Sequence, residues 1–470
     1  MSPLSDPHPI EQGSRVHFVG VGGVRMSALA EMLAGKGHVV TGSDRETSLF
    51  TDRLVSAGIP VTIGHATENV GDADVLVYTP AVGHENAELV EARERSIRII
   101  RGKALLGVLT SGKRVIAVSG THGKTTTTAM ITQICETAGL DPTAFVGGAM
   151  HGAESNLRVG ADDVWIVEAD EYDRAFLELS PLVAVVTSLE ADHLDLYESE
   201  EEIVATFDAF LSGIEDGGTA VICGDYPSAE ALTVPGQCVR KTYGNYDVAE
   251  LKATDFRREG LSTTFTVRLD GRESGDLTIR LPGEHNVWNA LGAVGAALSI
   301  NVPWESIQRG LSEFKGVRRR FEVMIDAGGI KVVNDYAHHP TEIEQAIKAA
   351  RTVCDGRIVA VFQPHLYSRT RDFLDAFCSS LSCADLCWLT DIYSAREAPI
   401  PGVSGQYIAD GIPGCYFEAS LERLGDAVIE TVEQGDLVLV MGAGSIETVA
   451  EEIARKVSER PVGVPTESLF

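Results

Sequence analysis

Residues 115–128 read VIAVSGTHGKTTTT. The apolar run Val115 to Val118 leads into Gly120-Thr121-His122-Gly123-Lys124-Thr125. A buried strand, a glycine turn and a helix start, in that order, form a phosphate-binding loop. Backbone N–H groups at the helix N-terminus point at anionic oxygens. Lys124 brings a positive charge to the β- and γ-phosphates, and the Thr125 hydroxyl is a hard ligand for Mg²⁺. The common pattern is G-x-x-x-x-G-K-[ST]. Its first glycine would fall at Val118, so the loop here is a shortened one.

A second glycine turn lies about a hundred residues earlier. The strand Arg15 to Val19 ends in Gly20-Val21-Gly22-Gly23, a helix follows from Met26 to Ala34, and a strand from Val39 leads to Ser43 and Asp44. Gly20-x-Gly22 with a later acid mimics a dinucleotide fingerprint. The third glycine of that pattern would be residue 25, which is Arg25. A diphosphate suits the turn, and a nucleotide-linked substrate fits it as naturally as a cofactor does. An NAD-dependent dehydrogenase and a P-loop regulatory ATPase stay open at this point.

Strands alternate with helices through the rest of the chain, which predicts doubly wound parallel sheets. Strands are expected at 75–78, 115–118, 164–167 and 183–187, with helices at 125–136 and 204–214. Between Ala253 and Leu281 the pattern becomes alternating around Asp270-Gly271, the signature of an antiparallel hairpin. Further strands are expected at 331–334, 357–362, 385–390 and 437–441. The segment FKGVRRRFE, 314–322, marks a junction. The expected organisation is three α/β domains. Residues 1–112 form a Rossmann-like domain, 113–318 a P-loop domain whose parallel sheet carries a small antiparallel one, and 319–470 a second Rossmann-like domain.

Composition excludes several functions. The 470 residues carry 39 basic and 68 acidic side chains, a net charge of −29. That argues against neutralising nucleic-acid phosphates or docking on an anionic membrane. Lysine is scarce, 10 against 29 arginines, which fits either ordinary acidity or a salt-rich cytoplasm. The 8 cysteines form no C-x-x-C pair and read as buried, reduced thiols. No apolar run reaches the roughly 18 residues that a membrane span needs. The N-terminus MSPLSDPHPIEQGS has no hydrophobic signal region, so a cytoplasmic protein is expected.

Acids and histidines collect where strands end, which is where open α/β sheets bind ligands. Glu168 closes the strand in VWIVEADEY, within reach of a phosphate-bound cation. Asp170, Glu171 and Asp173 read as solvated loop acids. His193 follows the next strand, between Asp192 and Asp195. His338, His339, His365 and Arg369 gather at strand ends near the C-terminus, and the arginines favour an anion over zinc.

Taken in order, GTHGKTTTT, EADE, DHLD, GEHNVWNA, RRFE and DYAHHPTE resemble the Mur ligases, ATP-dependent amide-forming enzymes of peptidoglycan synthesis. The resemblance spans nearly the whole chain. It implies joining L-alanine to the lactyl carboxylate of UDP-N-acetylmuramate through an acyl phosphate. Attachment of an intact tripeptide to the same acceptor is the alternative. It implies that Gly120, Thr121, His122, Gly123, Lys124, Thr125 and Thr126 hold the ATP phosphates and that Asn289 approaches the adenine. Arg320 and Asp335 would contact ATP from the third domain. Thr125 and Glu168 would bind one Mg²⁺, and His193 a second. Gly20, Gly22, Ser43, Asp44 and His65 would lie near the UDP part of the substrate. His338, His365 and Arg369 would lie near the amino acid and the transferred phosphate, with Lys124, Glu168, His193 and His338 catalytic. A monomer or homodimer is expected, with no nucleic-acid partner and no membrane insertion. Arg25 and Leu366 depart from the family, which usually has glycine and often arginine there.

Overall fold

The computed structural model describes residues 9–152, 155–189, 199–395 and 397–459. Three sheets carry the chain, and all are dominated by parallel pairing. The first contains β1 (Arg15–Val19), β2 (Val39–Asp44), β3 (Val61–Ile63), β4 (Val75–Tyr78) and β5 (Arg98–Arg101), in the order β3-β2-β1-β4-β5. Every pair in it is parallel. The order reverses on either side of β1, so the glycine turn after Val19 lies at the topological switch point.

The second sheet begins with β6 (Arg114–Ser119), β7 (Thr143–Phe145), β8 (Leu157–Arg158), β9 (Val164–Glu168), β10 (Val183–Val186), β11 (Thr219–Cys223) and β12 (Val239–Tyr243). It continues through β13 (Leu251–Glu259), β14 (Ser262–Leu269) and β15 (Arg272–Ile279), in the order β15-β14-β13-β12-β11-β10-β6-β9-β7-β8. β6 pairs in parallel with β10 on one side and β9 on the other, so the phosphate loop also leaves a switch point. β14 and β15 are joined by Asp270 and Gly271, at φ +50° and +75°. Two consecutive left-handed residues are what a two-residue hairpin turn requires. Thr266 Oγ1 donates to Asp276 Oδ1 across it at 2.6 Å.

The third sheet has β16 (Glu322–Ala327), β17 (Ile330–Asp335), β18 (Ile358–Phe362), β19 (Leu386–Leu389), β20 (Tyr416–Phe417) and β21 (Leu437–Met441), in the order β16-β17-β21-β18-β19-β20. Its only antiparallel pair among the described residues is β16 with β17.

The elements expected from sequence are present, with small differences at their ends. The first helix spans Val24–Gly35 and that of the phosphate loop Lys124–Thr137. The helix expected from residue 204 begins at Glu200, where the Ser199 side chain caps it. All eight cysteines are free thiols, but only Cys135, Cys223 and Cys387 are buried and Cys383 is exposed. Among the described residues no helix is long and apolar enough to cross a membrane.

By compactness the chain forms two units. One contains residues 1–254, 267–275 and 288–314, the other 255–266, 276–287 and 315–470. In the first unit one apolar core is continuous from Phe18 and Leu29 to Phe176, Phe207 and Ile222. The first sheet and the phosphate-loop sheet therefore share a packed interior. Within the same unit, the helix Trp304–Glu313 lies against the phosphate-loop helix at Gly310. A Cβ there would come within 2.8 Å of the Ile134 Cα. Backbone cannot yield as a side chain can. Gly310→Ala is therefore expected to cost about 1–3 kcal/mol, read as a lowered midpoint in urea denaturation. An unchanged midpoint would contradict this packing.

Candidate active site

In the phosphate loop, Gly123 caps the helix at φ +82°, and a Cβ there would lie 2.2 Å from Asn289 Oδ1. Gly120 is at φ +133° with Thr187 and Ser188 against it. Both positions need glycine, for conformation and for space. The loop is fastened by His122 N–H donating to Ser188 Oγ at 2.7 Å and Thr121 N–H to the Ser188 carbonyl at 3.1 Å. Asn289, expected near adenine, packs over this turn, with its Oδ1 3.4 Å from Thr127 Oγ1. Thr125 and Thr126 are buried in the first helical turn.

Lys124 Nζ donates to the Gly120 and Thr121 carbonyls and to Glu171 Oε1 at 2.8 Å. This corrects the reading of Glu171 as a solvated acid, since the residue is only 4% exposed. Burial pushes its carboxyl up to about 7 against the pull of Lys124. Burial also works against the Lys124 ammonium. The Glu171, Asp170 and Glu168 carboxylates outweigh that and hold it above its usual value. Asp170 is likewise engaged, by Arg25 Nη2 at 3.0 Å.

Glu168 ends β9 in register with Val118 of β6, which brings its carboxylate beside the loop. Its Oε2 accepts the Gly147 N–H at 2.6 Å, and a Cβ on Gly147 would meet that same carboxylate. A carboxylate with its second oxygen available and the Thr125 hydroxyl make a hard-oxygen donor set that suits Mg²⁺. His193, the other expected metal ligand, lies outside the described residues, and the side chain of Asp173 is not described.

At the first glycine turn, Gly20 and Val21 N–H groups donate to the Ser43 carbonyl, and Gly22 N–H to Asp44 Oδ2 at 2.7 Å. Behind the turn lies a buried polar cluster that sequence did not reveal. Glu88 is fully buried and accepts from Ser43 Oγ (2.6 Å), Asn69 Nδ2 (2.7 Å) and the Ala66 N–H (3.3 Å). His17 Nε2 and His65 Nδ1 each lie 3.3 Å from one of its oxygens.

In the second unit, Tyr336, His338, His365 and Tyr393 form an aromatic chain beyond the ends of β17 and β18. Tyr336–His338 and His338–His365 meet edge-on, with centroids 5.4 and 5.7 Å apart, and His365 stacks on Tyr393. His338 Nδ1 is 3.0 Å from the Tyr336 carbonyl. Arg369, one turn beyond His365, is buried. Leu366 between them is at φ +67°. Asp335 spends both carboxylate oxygens on backbone, accepting from Phe321 and Ala337 N–H groups at 2.7 Å. It braces the turn in which Arg319 and Phe321 have positive φ. Arg319 and Arg320 both lie over the Tyr336 ring.

Family models match the chain in three consecutive parts: the Mur ligase family catalytic domain at residues 15–114, the Mur ligase middle domain at 118–297, and the Mur ligase glutamate ligase domain at 319–444. The chain is 45% identical over 446 residues to a UDP-N-acetylmuramate–L-alanine ligase of Salinibacter ruber, covering 93% of this chain and 94% of that one. It is 42% identical to the enzyme of the same name from Geotalea daltonii, covering 95% and 99%. The solved UDP-N-acetylmuramate–alanine ligase of Thermotoga maritima superposes with a TM-score of 0.83 at 29% identity, over 95% of this chain and all of that one. The chain belongs to the Mur ligase family.

In this Mur ligase the loop signal was plain in sequence, but the partners of its lysine were not. Glu171 could have been found as the acid after the strand beside the loop. Glu88 had no signal, because nothing local in Asn86-Ala87-Glu88 announces a buried carboxylate. Its chemistry makes a pH prediction. Burial opposes the Glu88 charge, but hydrogen bonds from His17, Ser43 and Asn69 together with the His17 charge win, lowering it from 4.5 to about 2. A depressed carboxylate contributes stability above its unfolded value, and loses it as pH falls through the folded one. The stability margin of the native chain over Glu88→Gln, on the order of 3 kcal/mol, should therefore shrink between pH 4.5 and 2. Denaturant titrations across that range check it, and parallel curves would refute it.

Proposed function

We propose that this Mur ligase joins L-alanine to the lactyl carboxylate of UDP-N-acetylmuramate, with cleavage of ATP to ADP and phosphate. The substrate assignment is supported by 45% identity, over nearly the full length of both chains, to a ligase of that name. The chemistry is carried by one observation: Lys124 starts a helix at a sheet switch point and is ringed by the acids Glu168, Asp170 and Glu171.

A carboxylate is a poor electrophile because oxide is a poor leaving group. One of its oxygens attacks the γ-phosphorus of ATP, the bond to ADP breaks, and an acyl phosphate results. The backbone N–H groups of residues 123–126, at the head of the helix, orient the phosphates, while those of Thr121 and His122 are held by Ser188, and Lys124 neutralises charge on the transferred group. Its donors to Glu171 and the loop carbonyls are those that phosphate oxygens would take. Thr125 and Glu168 would hold Mg²⁺, which supplies further neutralisation of the phosphates when bound. The neutral amine of alanine then attacks the carbonyl carbon. The tetrahedral intermediate expels phosphate with the bonding electron pair, and the amine proton is lost. In this reading Gly20, Gly22, Asp44 and His65 serve the UDP end, and His338, His365 and Arg369 serve the amino acid and phosphate. The three segments 1–112, 113–318 and 319–470 act as three domains of one cytoplasmic enzyme.

The test is phosphate release with each component withheld in turn. Release is expected only with ATP, UDP-N-acetylmuramate and L-alanine together. Release supported by the tripeptide and not by L-alanine would assign the recycling reaction instead. Lys124→Ala should lower turnover by about 10²–10³-fold, the loss typical of one electrostatic donor, while circular dichroism stays native. Full turnover in a folded variant would remove Lys124 from the mechanism.

A further inference from the structure

We infer that Glu88 is a positioning residue for the nucleotide end of the acceptor, acting through His65, whose proton it fixes on Nδ1 so that Nε2 is the ring nitrogen offered to the uridine diphosphate group. The inference rests on the assignment of the UDP end to the first glycine turn.

Three observations carry it. Glu88 is entirely buried, whereas the His65 side chain is 22% exposed, so the carboxylate stands behind the ring and the imidazole fronts solvent. All the groups facing Glu88 are donors or can be: the Ser43 hydroxyl, the Asn69 amide, the Ala66 N–H and the two imidazoles. A buried carboxylate is acceptor-only, so the nitrogens facing it must carry protons. That sets His65 as Nδ1–H and His17 as Nε2–H, with His17 Nδ1 2.8 Å from Thr41 Oγ1. Finally, the cluster is joined to the turn itself. The Ser43 whose hydroxyl donates to Glu88 is the residue whose carbonyl receives the Gly20 and Val21 N–H groups. Ser43 is wholly buried, and its hydroxyl donates to Glu88 and stands 3.2 Å from His65 Nδ1 within the same cluster. Its contribution to the nucleotide pocket is therefore to hold the turn, and His65 is the side chain of this cluster left to meet a ligand.

The experiment is steady-state kinetics on the full-length enzyme with Glu88→Gln, His65→Ala and the double variant. Histidine ring ¹H–¹⁵N correlation spectra of the native chain accompany it. Glu88→Gln and His65→Ala should each raise KM for UDP-N-acetylmuramate about tenfold and leave kcat and KM for ATP within twofold. The double variant should be no worse than His65→Ala alone, since one acts through the other. Multiplying effects would overturn the inference. So would a raised KM in His65→Ala with none in Glu88→Gln. An unchanged KM in His65→Ala would sink the UDP assignment and the inference with it. If Glu88→Gln does not fold, the spectra decide: a protonated His65 Nδ1 supports the inference, and a bare Nδ1 refutes it.

Discussion

A buried ammonium group must be surrounded by acceptors, and the first unit is arranged around satisfying one. Lys124 is largely withdrawn from water at the head of a helix, where the macrodipole already carries positive charge. An isolated cation there would be expelled or neutralised. Two loop carbonyls and the Glu171 carboxylate take its three protons, with Asp170 and Glu168 adding their fields. The same demand explains the acid-rich sequence after β9. Those carboxylates are not decoration on a loop; they are the counter-charge that keeps the lysine protonated and in place. A polyphosphate with its cation brings charges of the same kinds to the same donors and acceptors.

The acids are in turn fixed by a backbone route that leads back to the first glycine turn. Gly147 N–H holds Glu168, and the neighbouring Val146 carbonyl accepts from Asn156 Nδ2. That amide also reaches the Val24 carbonyl in the first turn of helix Val24–Gly35. One residue on, Arg25 pairs with Asp170. Two contacts from adjacent residues therefore join the helix of one sheet to the loop of the other. Each is modest, because a half-exposed ion pair contributes little alone. They act on a continuous apolar core, however, and so fix orientation more than they add stability. The arginine that spoils a dinucleotide fingerprint has a partner 145 residues away.

Sequence carried the periodic and the local, and structure supplied the non-local. The strands at β1, β4, β6, β10 and β21 were legible because buried parallel strands are uninterrupted apolar runs bounded by turns. The short or half-polar strands β5, β8 and β20 were not, because edge pairing leaves no apolar run to read. The glycine loops were legible because positive φ and close approach admit few other residues. Glu88, Asn156 and the Asp170–Arg25 pair were not, because their partners lie 10 to 145 residues away in sequence. Asp335 shows the converse difficulty. The motif that suggested a nucleotide contact also contains a carboxylate whose two oxygens are occupied by backbone donors.

The second unit makes a related choice at Leu366. A leucine at φ +67° is strained, at a cost of about 1–3 kcal/mol, and the surrounding contacts must impose it. They are visible: Leu366 N–H donates to the Tyr393 carbonyl, Tyr393 N–H to the Pro364 carbonyl, and the Tyr393 ring stacks on His365. Releasing the strain would require letting go of Tyr393, and with it the stack that orients His365 toward His338. The strained backbone and the aligned histidines are therefore one feature. The positive φ lets the chain leave β18 at Phe362, present His365, and begin a helix at Tyr367, with Arg369 buried in its first turn. An arginine side chain at 366 is not needed for that geometry. What the geometry does require is the backbone pairing with Tyr393, which any side chain at 366 could accompany.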